Sequence, residues 1–109
     1  MASSFFYYDL EDSQDDFSNR VTKINCHGRL VSETAPELKD VVKQRIPEGG
    51  RILINLADVQ HLDSIGLGTL VGLKVSAVNA GYCTLELINL SPRIADLLRI
   101  TKLTQLFAS

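Results

Sequence analysis

The alternation of apolar and polar residues predicts four short strands. Residues 5–8 and 21–26 are rich in aromatic and β-branched side chains, which favours an antiparallel pair of strands near the beginning of the chain. Residues 52–56 form an almost continuous apolar run that is typical of a strand covered on both faces, so we expect it at the centre of the sheet. Residues 83–90 predict the last strand.

Helix-capping patterns predict where two of the helices begin. Thr34 and Glu37 have the spacing of a capping box, in which the threonine hydroxyl accepts a hydrogen bond from a backbone amide of the first turn. Ser91 precedes a proline and is expected to cap a later helix. Residues 103–109 are too few for an element to be assigned.

The longest predicted helix begins after Asp63 and ends at Gly81, because glycine favours the left-handed conformation that closes helices. We expect its apolar residues at helical spacing to form the buried stripe. They are Leu67, Leu70, Val71, Val75 and Val78. Small residues recur at every fourth position as Gly68, Gly72, Ser76 and Ala80. We expect this ridge to let the helix lie close to its neighbour, with contact to a partner as the alternative.

The order of the predicted elements, β-β-α-β-α-β-α, indicates a single α/β domain. It favours a mixed β-sheet that is mostly parallel after the N-terminal antiparallel strand pair, with crossover helices. A chain of 109 residues has the length of one domain, and its 45% hydrophobic content is that of a chain that folds. The first 16 residues contain five acidic residues and no basic ones. We therefore divide the chain into an acidic N-terminal segment, residues 1–20, which includes the first strand, and a domain, residues 21–109.

Composition argues against several classes of function. A formal net charge of −2 provides no basic surface for direct contact with nucleic acid. No apolar run reaches the roughly 18 residues of a membrane span, and the first residues lack the pattern of a secretory signal. We therefore expect a cytoplasmic protein without membrane insertion. Cys26 and Cys83 lie in separate strand-like runs, and we expect buried free thiols rather than a disulfide framework or a zinc site.

The segment between the central strand and the long helix, residues 57–68, fits none of the enzyme motifs that it resembles in part. A phosphate-binding loop needs a lysine where Leu73 stands, and a dinucleotide fingerprint needs a third glycine that is missing. A hydrolase elbow needs a glycine where Leu62 stands. Asp58 has the place of a receiver-domain phosphoacceptor, but the acidic pair and the lysine of such a domain do not stand out. We expect no enzymatic activity, no metal and no cofactor.

The same segment presents a serine at the start of a helix. With Asp63 as the N-cap, Ser64 occupies the first helical position, where its side chain is not used by the cap and is accessible to a kinase. Leu62 and Leu67 fall at the two positions of a hydrophobic staple. A phosphoryl group on Ser64 would lie near the positive end of the helix. The alternative is that Asp63 and Ser64 do no more than cap the helix.

The run Asp63-Ser64-Ile65-Gly66-Leu67-Gly68 after an apolar strand resembles the STAS domain family, and within it the bacterial anti-sigma factor antagonists. The resemblance extends over residues 21–107. It implies a STAS-like fold with Ser64 as the phosphoacceptor. It also implies a partner-binding surface that consists of Asp63, Ser64, Ile65, Gly66, Leu67 and Gly68.

The resemblance implies two protein partners. In this family the unphosphorylated protein binds an anti-sigma factor that is also a serine kinase, frees the sigma factor and so regulates transcription. The kinase phosphorylates the serine, and a serine phosphatase later removes the phosphoryl group. Catalysis would therefore belong to the partners.

Two positions depart from the pattern of the family. Many members have a second hydroxyl residue where Ile65 stands, and an acidic stretch where this chain has Arg29 and Val31. The second departure changes the charge of a loop that often meets the kinase. The alternative function is a non-enzymatic STAS scaffold subunit of a signalling or transport assembly, or of weak homo-oligomers, with the small-residue ridge and Ile65 as its contact surface.

Overall fold

Four strands form one mixed sheet and follow one another across it in chain order. They are β1 (Phe6–Gln14), β2 (Arg20–Leu30), β3 (Gly50–Leu62) and β4 (Cys83–Ile88). The first pair is antiparallel, whereas β2 with β3 and β3 with β4 are parallel, which confirms the predicted mixed α/β class. The computed structural model describes residues 5–108, so residues 1–4 of the predicted acidic segment and Ser109 lie outside the described residues.

The helices are α1 (Ala35–Arg45), α2 (Ser64–Ala80), α3 (Pro92–Ile100) and the short α4 (Thr104–Ala108), which the sequence analysis left unassigned. A single 3₁₀ turn, Ile46–Glu48, follows α1. The core unites alternate residues of β2, β3 and β4 with one face of α1, α2 and α3. Its fully buried members include Ile24, Leu38, Ile52, Ile54, Leu56, Leu70 and Leu85. Three helices therefore cover the same face of the sheet.

The prediction that β3 is covered on both faces is wrong. Ile52, Ile54 and Leu56 are buried, but Leu53 and Asn55 between them are only half-buried. The other face of the sheet is open because the helices pack on one side. Leu53 makes the apolar run continuous in the sequence, but no layer of protein within residues 5–108 covers its face of the sheet.

Three strands are longer than predicted. β2 extends over Arg20–Leu30 instead of residues 21–26. β1 continues through the acidic residues to Gln14, since their carboxylates find partners in the fold, as when Asp12 accepts from Arg45 at 3.1 Å. β3 continues through residues 57–62, which were predicted as a connecting turn, and keeps its pairing with β2 past a bulge near Asn25. β4 is shorter than predicted and ends at Ile88, just before Asn89 adopts a left-handed backbone with φ of 57°.

The predicted capping box at Thr34 is wrong in its chemistry. Thr34 is the N-cap of α1, but its hydroxyl makes no hydrogen bond to the helix. The hydroxyl instead accepts from the Val31 amide at 3.0 Å, in the loop that precedes the helix, and donates to the Arg29 carbonyl at 2.6 Å, at the end of β2. The predicted cap at Ser91 is confirmed, because its side chain accepts from the Ile94 amide at 3.2 Å.

The buried stripe of α2 differs from the predicted one. Val75 and Val78 are 44% and 59% exposed, while Leu70, Leu73 and Ala77 are buried. Lys74 is buried as well, with its amine donating to the Leu85 carbonyl of β4 at 2.9 Å. The helix carries apolar residues on all of its sides, so their spacing alone does not decide which side faces the core.

The expectation of a closely packed small-residue ridge is also wrong at its two glycines. A Cβ added to Gly68 or to Gly72 would meet nothing within 4 Å. The glycine that allows a close approach is Gly66, where an added Cβ would lie 2.1 Å from the Leu30 carbonyl oxygen. This backbone contact determines how α2 sits on the end of β2.

Both cysteines are free and buried, as predicted. Burial raises the pKa of the Cys26 thiol to about 12 and also raises the pKa of Cys83. None of the helices in residues 5–108 is long and apolar enough to cross a membrane.

We expect Gly66→Ala to lower the free energy of unfolding by about 2 to 3 kcal/mol, because the new methyl group would clash with a backbone oxygen that cannot move independently. Gly72→Ala is the matched control in the same helix and should stabilise by about 0.5 to 1 kcal/mol, since alanine favours a helix interior and has open space there. Urea unfolding of both variants measures the difference. Equal stability of the two variants would contradict the close approach at Gly66.

Candidate functional site

The helix start that the sequence singles out is capped by Asp63. Its backbone is extended, with φ of −96° and ψ of −178°, and one carboxylate oxygen accepts from the Gly66 amide at 2.7 Å. This hydrogen bond satisfies one of the amides that the first turn of a helix leaves without an intrahelical acceptor. The predicted N-cap is therefore confirmed, and Ser64 occupies the first helical position.

The second carboxylate oxygen of Asp63 holds a different part of the chain. It accepts from the backbone amide of Ser32 at 3.0 Å, in the loop between β2 and α1. This contact has no signature in the sequence, because the two residues are 31 positions apart and every residue but proline offers a backbone amide. One carboxylate thus fixes the start of α2 against the loop after β2.

Gly66 also fixes the start of α2 against β2. It is buried beneath the helix start and lies directly over the carbonyl of Leu30, the last residue of β2. Leu62 and Leu67, at the two staple positions, are both half-buried. The turn therefore rests on rigid backbone rather than on a free loop.

Several residues at the start of α2 are exposed to solvent. Ser64 is exposed, and Ile65 beside it is 54% exposed, a high value for an apolar side chain. Gly68, one turn further along, is exposed as well. The structure brings five of the six predicted partner-binding residues to one helix start and places the sixth, Gly66, underneath as a support.

A groove of about 410 Å³ runs from Ser64 between α1 and α2. Its floor includes Gly68 and Gly72, which explains the open space above these glycines. Two exposed lysines of α1, Lys39 and Lys43, form the opposite wall. The positive end of α2 and these two amines make the surroundings of Ser64 favourable for an anion.

A larger groove of about 630 Å³ lies on the other side of the same helix start and is lined by Asp63. It combines apolar residues with the basic side chains of Arg29 and Arg93. Since Asp63 and Ser64 are adjacent in the chain, the turn that they form lies between two grooves. A partner that covers this turn would contact both.

A separate polar cluster lies on the open face of the sheet, centred on His27. Its Nδ1 is 2.8 Å from Asp58 on β3, its Nε2 is 3.1 Å from Asp9 on β1, and its ring stacks on Tyr7 at 4.5 Å. Hydrogen bonds to Asp58 and Asp9 raise the pKa of His27, and the bond from His27, with one from Asn25, lowers the pKa of Asp9.

This cluster does not form a metal site. Within the described part of the chain, no group of three or more His, Cys, Asp or Glu side chains is arranged to hold a metal ion. Asp58, the residue with the place of a receiver-domain phosphoacceptor, is engaged by the His27 ring. The cluster ties the edge strand β1 to β2 and β3.

Comparison with known proteins identifies relatives of this chain. The sequence model of the STAS domain family matches residues 13–108. An anti-sigma-B factor antagonist of Staphylococcus epidermidis is 36% identical over 95 residues, which cover 86% of this chain and 83% of that protein.

Solved structures share the fold. The crystal structure of an anti-sigma factor antagonist from Mycobacterium paratuberculosis superposes with a TM-score of 0.76 at 20% identity, over 97% of this chain and 86% of that one. The Bacillus cell fate determinant SpoIIAA in its phosphorylated form has a TM-score of 0.68 at 19% identity, over 91% and 86% of the two chains. At these identities the likeness concerns the fold alone.

We expect Asp63→Ala to destabilise the protein by about 2 kcal/mol, because it removes the acceptor of two backbone amides at once. Ser91→Ala is the control, since Ser91 caps α3 with one hydrogen bond and should cost about 1 kcal/mol. Chemical unfolding of both variants tests the difference. A smaller loss at Asp63 than at Ser91 would show that the contact with Ser32 contributes nothing.

The His27 cluster predicts how stability depends on pH. Because the pKa of His27 is raised in the folded state, its contribution is fully present below the ordinary value of about 6.5 and is lost as the pH rises through the raised value. We therefore expect the melting temperature to fall as the pH rises from about 6.5 through the raised pKa, and His27→Gln to flatten that decline. His61→Gln, at an exposed histidine, is the control. An unchanged pH profile in His27→Gln would contradict the assignment.

Proposed function

The chain belongs to the STAS domain family, and on this premise we propose that it is a cytoplasmic anti-sigma factor antagonist that is switched by phosphorylation of Ser64. In the unphosphorylated state it binds an anti-sigma factor that is also a serine kinase, and so releases a sigma factor for transcription. The kinase transfers a phosphoryl group to Ser64 and ends the interaction, and a serine phosphatase restores the binding state. The observation that carries this proposal is the exposed Ser64 hydroxyl on a helix start fixed from two sides.

The position of Ser64 suits a phosphoacceptor. Its hydroxyl is exposed at the first helical position, so a kinase can reach it without unfolding the helix. The Asp63 carboxylate accepts two backbone amides and is not aimed at the serine as a base. The base and the nucleotide are therefore assigned to the kinase, and this chain supplies the nucleophile in a fixed place.

The fold tolerates the product of that reaction. A phosphoryl group on Ser64 would carry about two negative charges at the positive end of α2, with Lys39 and Lys43 across the adjacent groove. No buried group has to move, since the hydroxyl already faces solvent. We expect phosphorylation to leave the stability of the domain nearly unchanged.

The same product is unfavourable for an interface. Ser64 adjoins Ile65, whose exposed side chain is suited to burial against a partner. Two charges at the centre of that contact would need to lose water, and they would add to the charge of Asp63. Phosphorylation would thus change the surface while it preserves the fold.

The relatives support this proposal. The 36% identical protein of Staphylococcus epidermidis is an anti-sigma-B factor antagonist, and SpoIIAA has been solved in a phosphorylated form. Ser64, with Asp63 before it, offers a hydroxyl for the same modification here.

We expect Ser64→Ala to keep its affinity for the anti-sigma factor and Ser64→Asp to weaken it by about tenfold or more, because the carboxylate places a charge at the centre of the interface. The anti-sigma factor is identified by retention on the Ser64→Ala variant from a lysate of the source organism, then purified for titration calorimetry. Ser13→Asp, on exposed β1, controls for added charge and should bind like the unmodified chain. Equal affinity of Ser64→Ala and Ser64→Asp would contradict the switch.

A further inference from the structure

The larger groove beside Asp63 has a distinctive composition. Arg29 of β2 pairs in register with His61 of β3, and Arg93 and Ile100 of α3 stand opposite them. All four side chains are exposed, with Ile100 at 68%. The end of the sheet and the outer side of α3 thus enclose a groove with one arginine on each side.

The two acidic residues of this groove, Asp63 and Asp96, keep their negative charges, but each already has a partner. Both Asp63 oxygens accept backbone amides, and Asp96 lies 3.3 Å from Arg99 on the same helix. Arg29 and Arg93, by contrast, have no ion pair within residues 5–108. The groove therefore presents two guanidinium groups whose donors are available to an incoming carboxylate.

Apolar side chains lie between the two arginines. Val31 is buried at 6% exposure, Leu97 is half-buried, and Ile100 is open to solvent. Exposed isoleucine at the edge of a groove loses contact with water when a partner covers it, which favours binding. The groove thus combines a small apolar floor with a charged rim that includes two arginines, the arrangement of the centre and edge of a protein interface.

We propose that this groove binds an acidic segment of the anti-sigma factor, in which an apolar side chain covers Ile100 and flanking carboxylates pair with Arg29 and Arg93. The inference rests on the proposed function and adds the chemistry of the partner. Charge complementarity specifies the occupant, because each arginine offers a planar pair of donors to a carboxylate and neither is satisfied within the described chain.

The location of the groove connects it to Ser64. Asp63 lines the groove and Ser64 is the next residue, so the acidic segment of the partner lies beside the phosphoacceptor. A phosphoryl group on Ser64 would then repel the carboxylates that the arginines attract. Phosphorylation would then weaken binding for two reasons. The phosphoryl group would have to lose water at the contact, and it would repel the acidic segment of the partner.

Charge reversal tests the proposal with the purified anti-sigma factor as the probe. Arg29→Glu combined with Arg93→Glu should weaken binding by about tenfold or more at low salt, and raising the salt concentration should weaken the unmodified complex markedly. Arg29→Lys combined with Arg93→Lys should bind more weakly than the unmodified chain but more tightly than the doubly reversed variant, because the positive charges remain while the planar donor pairs are lost. Substituting lysine for the opposing carboxylates of the anti-sigma factor should restore binding to the doubly reversed variant.

Lys102→Glu is the control for each single charge reversal, since Lys102 is exposed, lies outside this groove and undergoes the change of charge that each arginine undergoes. It should bind within about twofold of the unmodified chain. Unchanged affinity of the double arginine variant, with little salt dependence, would overturn the groove assignment and leave the proposed function intact. Failure of the unmodified chain to bind an anti-sigma factor would overturn both.

Discussion

The carboxylate of Asp63 accepts one amide from the helix that it caps and one from a loop 31 residues earlier, and the geometry of the candidate site depends on this pair of hydrogen bonds. A helix start held only by its own cap is free to fray. Here the start of α2 is tied to the loop after β2, while Gly66 lets its backbone rest on the Leu30 carbonyl. The exposed Ser64 hydroxyl therefore has a fixed position, as a substrate for a second protein requires.

The two faces of the sheet differ in what covers them. Helices cover one face and bury the core there, and on the other face a polar network around His27 holds the edge strand β1 in place. The candidate site lies at the edge where β2 and β3 end and α2 begins. Two grooves flank it there, one with lysines beside Ser64 and one with arginines beside Asp63. A phosphoryl group on Ser64 would lie between the lysines of one groove and the arginines of the other. It would be compatible with the fold there and would repel an acidic partner.

Local chemistry made much of this predictable. The caps at Asp63 and Ser91 follow from side chains that bond to amides three residues away, and the order of elements implied the mixed sheet. The capping box predicted at Thr34 does not form, because its hydroxyl bonds to backbone groups of Arg29 and Val31 instead. The spacing of a capping box carries no information about such a competing contact. Likewise, Gly66, Gly68 and Gly72 look alike in the sequence, and only the packing of α2 on β2 shows that the first is covered and the others are open. The contact of Asp63 with Ser32 and the two grooves depend on residues distant in the chain.

In the proposed switch, one phosphoryl group changes the surface at Ser64 without changing the fold. The most direct measurement compares the chain before and after stoichiometric phosphorylation, with amide NMR spectra for the fold and calorimetric titration for binding to the anti-sigma factor. We expect spectral changes confined to the start of α2 and the walls of its two grooves, together with loss of binding. Binding that persists with unchanged affinity after phosphorylation, or spectral changes throughout the core, would contradict it.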